Sequence, residues 1–147
     1  MTLLGEVDGN GNYEPSKLVE LEERHADDRG YIQMLTNIPT HNVSLIDSKK
    51  GTVRSNHYHF KDWHYIYMLT GACDYYFRAH DSGDPVSHFV AKAGDMIWTP
   101  PMEDHATVFT EDSLILALSL MPRDQEAYES DVRRIVIVDP ATLELVA

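Results

Sequence analysis

The chain has 147 residues, with twelve basic against twenty-four acidic side chains and a formal net charge of −12. That length suits one domain with an ordinary buried core. The charge disfavours nucleic acid and anionic membranes as partners, because a phosphate-bearing surface needs a basic one.

Strand-like segments dominate. Those at 31–36 and 42–47 flank the Ile38-Pro39-Thr40 break, and the second alternates Val43 and Leu45 against Asn42 and Ser44. Further strands are expected at 52–56, at 63–70 and 72–79 hinged by Gly71, and, past the loop 80–85, at 86–91, 95–98, 105–109 and 113–120. The stretch 123–133, with Gln125, Glu126 and Ala127, is the one short helix expected, and 135–138 reads as a final strand. Many short strands with regular turn signals predict an all-β sandwich or barrel. We read one domain, 1–147: a barrel core over roughly 30–121, an N-terminal arm 1–29 and a C-terminal helix and strand in 122–147. A late strand beyond a barrel often pairs with a neighbouring chain, so a homodimer is expected. Cys73, the single cysteine, excludes an internal disulfide and reads as a small buried or edge thiol. The start of the chain lacks a basic residue followed by an apolar stretch. The longest apolar run, 114–118, is far short of the ~20 residues that cross a bilayer. The cytoplasm is the expected compartment.

The histidines carry the functional signal. Side chains alternate faces along a strand, so His57 and His59 point the same way. The short link 60–62 lets His64 return beside them, and the Pro100-Pro101 turn after Gly94 delivers His105 from a distant stretch. Four imidazoles so placed can converge on one metal ion. The isolated His25, His41, His80 and His88 read as structural or surface residues.

This spacing resembles the cupins over 51–109. Gly51, five residues, His57-Tyr58-His59, four residues, His64, six residues and Gly71 follow their first motif. Gly94, five residues, Pro100-Pro101-Met102, two residues, His105, three residues and Phe109 follow the second. His64 stands where the family's Glu ligand would be, Met102 replaces a Gly and Phe109 an Asn. The resemblance implies a cupin-type jelly-roll barrel with His57, His59, His64 and His105 as metal ligands. Exchanging the acid for His64 removes a negative charge and favours a borderline divalent metal. Zinc or nickel is expected first, with iron, manganese or copper as alternatives. Should His64 swing away, a three-histidine site opens to substrate or water.

Asp28-Arg29-Gly30-Tyr31, and Arg54 three residues before His57, resemble elements of cupins acting on nucleotide-linked deoxysugars. There they contact the nucleotide diphosphate, which implies that role for Arg29 and Arg54; guanidinium binds phosphate bidentately. The competing reading is a capped turn at Arg29 and a solvated hairpin tip at 49–51. The Arg-x-x-His-x-His form is more similar to metal-binding cupin modules of capsule and lipopolysaccharide sugar pathways than to the metal-free epimerases. Trp98, before the Pro100 turn, and Tyr75 are the aromatic candidates for substrate contact, although aromatic strand residues mostly fill cores. Glu103 and Asp104 read as an exposed acidic turn, with Glu103 the one candidate general base or partner to an imidazole.

Three functions fit these residues. The first is a metal-dependent isomerase or epimerase of a sugar or nucleotide-sugar-like molecule. The second is an iron- or nickel-dependent dioxygenase. The third is a non-catalytic ligand-binding module stabilised by its metal.

Overall fold

The computed structural model describes residues 4–146. Its strands in chain order are β1 (Lys17–Leu18), β2 (His25–Asp27), β3 (Gly30–Ile32), β4 (Asn42–Ser48), β5 (Val53–His59) and β6 (His64–Thr70). There follow β7 (Ala72–Ala79), β8 (Ser87–Lys92), β9 (Met96–Thr99), β10 (Glu103–Phe109), β11 (Ser113–Ser119), helix α1 (Gln125–Asp131) and β12 (Val132–Arg134). They form two five-stranded antiparallel sheets, β1-β9-β6-β11-β4 and β12-β5-β10-β7-β8, in a jelly-roll barrel; β2 and β3 make a separate hairpin. No helix among the described residues is long and apolar enough to cross a membrane.

Period-two alternation builds the interior. Ile66 and Met68 of β6 turn inward with Cys73, Tyr75, Ile97, Phe109 and Ile115. Tyr65, of opposite parity, packs outside the sheet with Trp63 and Trp98, beneath arm residues such as Leu4 and Tyr13. Between β6 and β7, Gly71 has φ +87°, and a Cβ there would lie 2.6 Å from the Asp112 carbonyl oxygen. Only glycine fits that turn.

Strand β10 is buried from end to end because both its faces are covered. Its outer residues Ala106 and Val108 pack against Ile137 and Val138 of the C-terminal segment. The expected strand at 135–138 is therefore corrected. The last strand of the sheet, β12, lies just before it, and the segment itself is tied down by one side chain. Asn56 accepts from the N–H groups of Ile137 (3.0 Å) and Val138 (3.1 Å) and donates to the Val138 carbonyl (2.9 Å). The segment therefore lies on its own barrel. The arm also holds β1, paired with β9, which its polar sequence gave no reason to expect.

Candidate metal centre

His57 and His59 on β5 and His105 on β10 meet inside the barrel. His57 pairs directly with His105 across the strands. One nitrogen from each of the three rings lies within 4.8 Å of the other two. The ring centroids of His57 are 4.8 Å from His59 and 4.7 Å from His105.

A β-bulge shapes this face. His105 opposes His57 but Ala106 opposes Ser55, which leaves Asn56 as the extra residue. Ser55 and Asn56 both take left-handed backbone, φ 72° and 54°. The bulge cancels one step of alternation. Arg54, opposite Thr107, thus reaches the same cavity as His57 despite the odd spacing between them.

Hydrogen bonds fix two of the rings. His59 Nδ1 donates to Asp131 Oδ2 at 3.1 Å, and Asp131 is itself held by the N–H groups of Lys61 (2.8 Å) and Asp62 (3.1 Å). His105 Nδ1 donates to the Glu103 carbonyl at 2.9 Å, because a carbonyl only accepts. Both rings consequently present Nε2 as a lone pair, and both of these atoms are buried with no partner in the protein. Outer hydrogen bonds that set tautomer and aim are what metal-binding imidazoles require. Burial, aided by the neighbouring imidazoles and Arg123, lowers the pKa of His57, and burial with the Arg123 charge lowers that of His59. Burial brings His105 down to about 3. The rings are neutral, the form that ligates. The donor set therefore fits a divalent zinc, nickel, copper or iron ion.

His64 stands beside this trio rather than within it. Its ring is 5.3 Å from His105 and 6.0 Å from His59, and it does not join the close group of nitrogens. Burial holds its pKa well below the ordinary value, and its Nδ1 is buried without a partner. His57 and His64 open onto a cavity of about 60 Å³, roughly two water molecules. Arg54, Thr107 and Arg123 supply its polar groups, and Ile66, Phe109 and Ile115 some of its apolar wall. Arg54 is braced at the rim by Ser48 Oγ (2.6 Å) and the Asp47 carbonyl (2.9 Å).

Other residues singled out in the sequence lie elsewhere. Arg29 sits on the β2–β3 hairpin with its side chain 87% exposed, pairs with Asp27 at 2.5 Å and does not line this cavity. Trp98 is fully buried and faces outward, because its neighbour Thr99 faces in; its Nε1 donates to the Glu14 carbonyl (2.9 Å) under the arm. Tyr75 is also fully buried. Its ring stacks over His105 at 6.2 Å while its hydroxyl bonds Thr99 Oγ1 (2.6 Å) and Ser16 Oγ (2.9 Å), so neither aromatic is free for substrate.

Glu103 is not in an exposed turn. It is buried and bonded to both the N–H and the hydroxyl of Ser16, and it borders a separate, wider cleft with Phe60 and Phe77. Burial raises its pKa to about 7. Burial likewise pushes the Cys73 thiol up to about 12, which removes it as a nucleophile. Two participants had no sequence signal of their own. Asp131 ends a short acidic helix and Arg123 follows the Pro122 stop, and only the tertiary fold brings them to the histidines.

No protein-family model matches the chain, and no curated protein is significantly similar to it. Solved structures are similar in fold. The QdtA sugar 3,4-ketoisomerase of Thermoanaerobacterium thermosaccharolyticum, as a double mutant in complex with TDP, superposes with a TM-score of 0.66 at 22% identity, covering 81% of this chain and 86% of that one. ChmJ, a 3'-monoepimerase of Streptomyces bikiniensis in complex with dTDP-quinovose, gives 0.70 at 16% identity, over 91% and 79%. The rmlC epimerase of Mycobacterium tuberculosis gives 0.68 at 17%, over 92% and 74%. The fold shared with them is an all-β jelly-roll barrel of the cupin type.

Proposed function

We propose that this chain is a metal-dependent isomerase or epimerase of a small carbonyl compound of the sugar class, with His57, His59 and His105 holding the ion. One observation carries the reading. Two aimed, unpartnered Nε2 atoms stand beside a cavity whose other buried polar atoms, His64 Nδ1, Thr107 Oγ1 and Arg123 Nε, also lack partners in the protein. Buried polar groups are normally satisfied, so a cluster of orphans around one void marks a ligand site. The similar folds named above are sugar ketoisomerases and epimerases, which supports the reaction class.

A bound divalent ion supplies Lewis acidity toward a carbonyl oxygen. The chain's own residues do the rest. Thr107 and Arg54 orient the polar end of the substrate, and Ile66 and Phe109 keep bulk water from the reacting carbons. His64, neutral and outside the close trio, presents an unpartnered Nδ1 that hydrogen-bonds a substrate hydroxyl beside the reacting carbons. The cavity admits only the reacting end of a molecule, so any nucleotide part would lie outside, past Arg54.

The test is solvent deuterium wash-in on a panel of keto-sugars, with metal content measured in parallel. We expect exchange in the native chain, and reduced exchange with retained metal in His64→Ala. Absence of exchange across the panel sinks the reading. The all-imidazole trio favours one competitor, an iron-dependent dioxygenase, which predicts oxygen uptake after iron reconstitution. A homodimer remains part of the proposal. Val43 and Leu45, 59% and 66% exposed on edge strand β4, offer it a face, and the molar mass in solution measured by light scattering decides it.

A further inference from the structure

Arg123 is the least explained charge in the molecule. It follows β11, its side chain is only 21% exposed, and it lines the cavity with His57 and His64. Its Nε is buried and has no hydrogen-bond partner. The nearest carboxylate oxygen, Asp62 Oδ2, is 3.8 Å from its terminal nitrogen, beyond hydrogen-bonding reach. The guanidinium carbon stands 5.7 Å from the Tyr128 ring, which in turn lies 6.0 Å from His59. Asp62, whose Oδ1 accepts from the Met121 N–H (2.9 Å), thus offers Arg123 one long ion pair through Oδ2 and no hydrogen bond, and Asp131 is taken by His59 and two backbone N–H groups.

A chain of net charge −12 has thus placed a cation whose Nε has no hydrogen-bond partner at a small cavity, next to four uncharged imidazoles. Apolar walls strengthen the field there. A guanidinium presents a planar fork of donors, and the planar anion that matches it two bonds to two is a carboxylate. We infer that Arg123 is the carboxylate-binding residue of this cavity, and that its ligand is a small hydroxy- or keto-acid, a sugar acid where the substrate is a sugar. The inference rests on the reading above that this cavity is where substrate reacts, and it narrows the substrate class.

The test uses the full chain as purified, with glycolate and pyruvate as probes and glycolamide and hydroxyacetone as neutral counterparts. The side-chain Nε–H resonance of Arg123 is followed by NMR while affinity is measured by calorimetry. We expect both acids to shift that resonance and bind, and both neutral molecules to bind at least about tenfold more weakly, as loss of a charge-assisted bond requires. Arg123→Gln should weaken glycolate by a similar factor, and Arg123→Lys should recover part of it. If Arg123→Gln does not fold, the resonance titration on the native chain still decides.

Neutral probes binding as well as acids, an unmoved Arg123 resonance, or inorganic phosphate outcompeting both acids overturns the inference. Its failure is distinct from that of the proposed function. Deuterium exchange on neutral keto-sugars without acid binding sinks this inference alone, and acid binding without exchange on any sugar sinks only the isomerase.

Discussion

The inner face of β10 carries two polar regions two residues apart, and they are finished differently. At Glu103 the carboxylate, Ser16, Tyr75 and Thr99 form a closed network in which each side chain has a partner. At His105 and Thr107 the network is left open, with His59 Nε2, His105 Nε2, His64 Nδ1 and Thr107 Oγ1 all unpartnered. The first region anchors the N-terminal arm to the barrel. The second pays a desolvation cost that only a ligand can return. Closed networks hold structure and open ones await chemistry, and the contrast can be tested side chain by side chain.

The largest effect should come from His105→Ala, which removes one of three aimed donors. Metal affinity should fall by about a thousandfold or more, read by competition with a chromophoric chelator. Retention of a full equivalent of metal would falsify the trio. Next, Asp131→Ala frees the His59 ring and should weaken metal binding about 10–100-fold in the same assay. A loss as complete as that of His105→Ala would make Asp131 a ligand instead of a brace.

The pH dependence of the metal-free chain separates the regions by sign. The histidines have pKa values lowered in the fold, so below pH 6.5 the unfolded chain binds more protons. Stability then falls with acid, by about 1.4 kcal/mol per pH unit for each fully buried ring, and for His105 this continues to about pH 3. Glu103 runs the other way. Its pKa is raised from 4.5 to about 7, so the folded chain binds more protons across that window and stability drops as pH rises through it. Denaturant melts from pH 4 to 8 should show Glu103→Gln removing only the second slope.

The smallest effect is the most direct comparison. Thr99→Val breaks a bond in the closed network and should cost about 1–2 kcal/mol, whereas Thr107→Val deletes an unpartnered hydroxyl and should be nearly neutral. Equal costs would erase the distinction.

Much of this was legible in the sequence. The strand at 72–79 and the convergence of His57, His59 and His105 follow from period-two alternation and turn residues. Alternation alone misplaces Arg54, because a bulge with two left-handed residues leaves no mark in a polar tripeptide such as Ser55-Asn56-His57. Glu103 departs from its expected exposure for a different reason. Beside the Pro100-Pro101 turn an acid reads as solvated, and its burial comes from Ser16, 87 residues away. Trp98 looked available at a strand end, but the covering arm could not be inferred from its polar residues.

Asn56 joins two parts of the molecule that look independent. It is the bulge residue next to His57, and it also grips the backbone of Ile137 and Val138. Slack introduced near the carboxyl end is therefore transmitted to the rim of the reactive chamber, so trimming or tagging there could detune the ligands without touching a single imidazole.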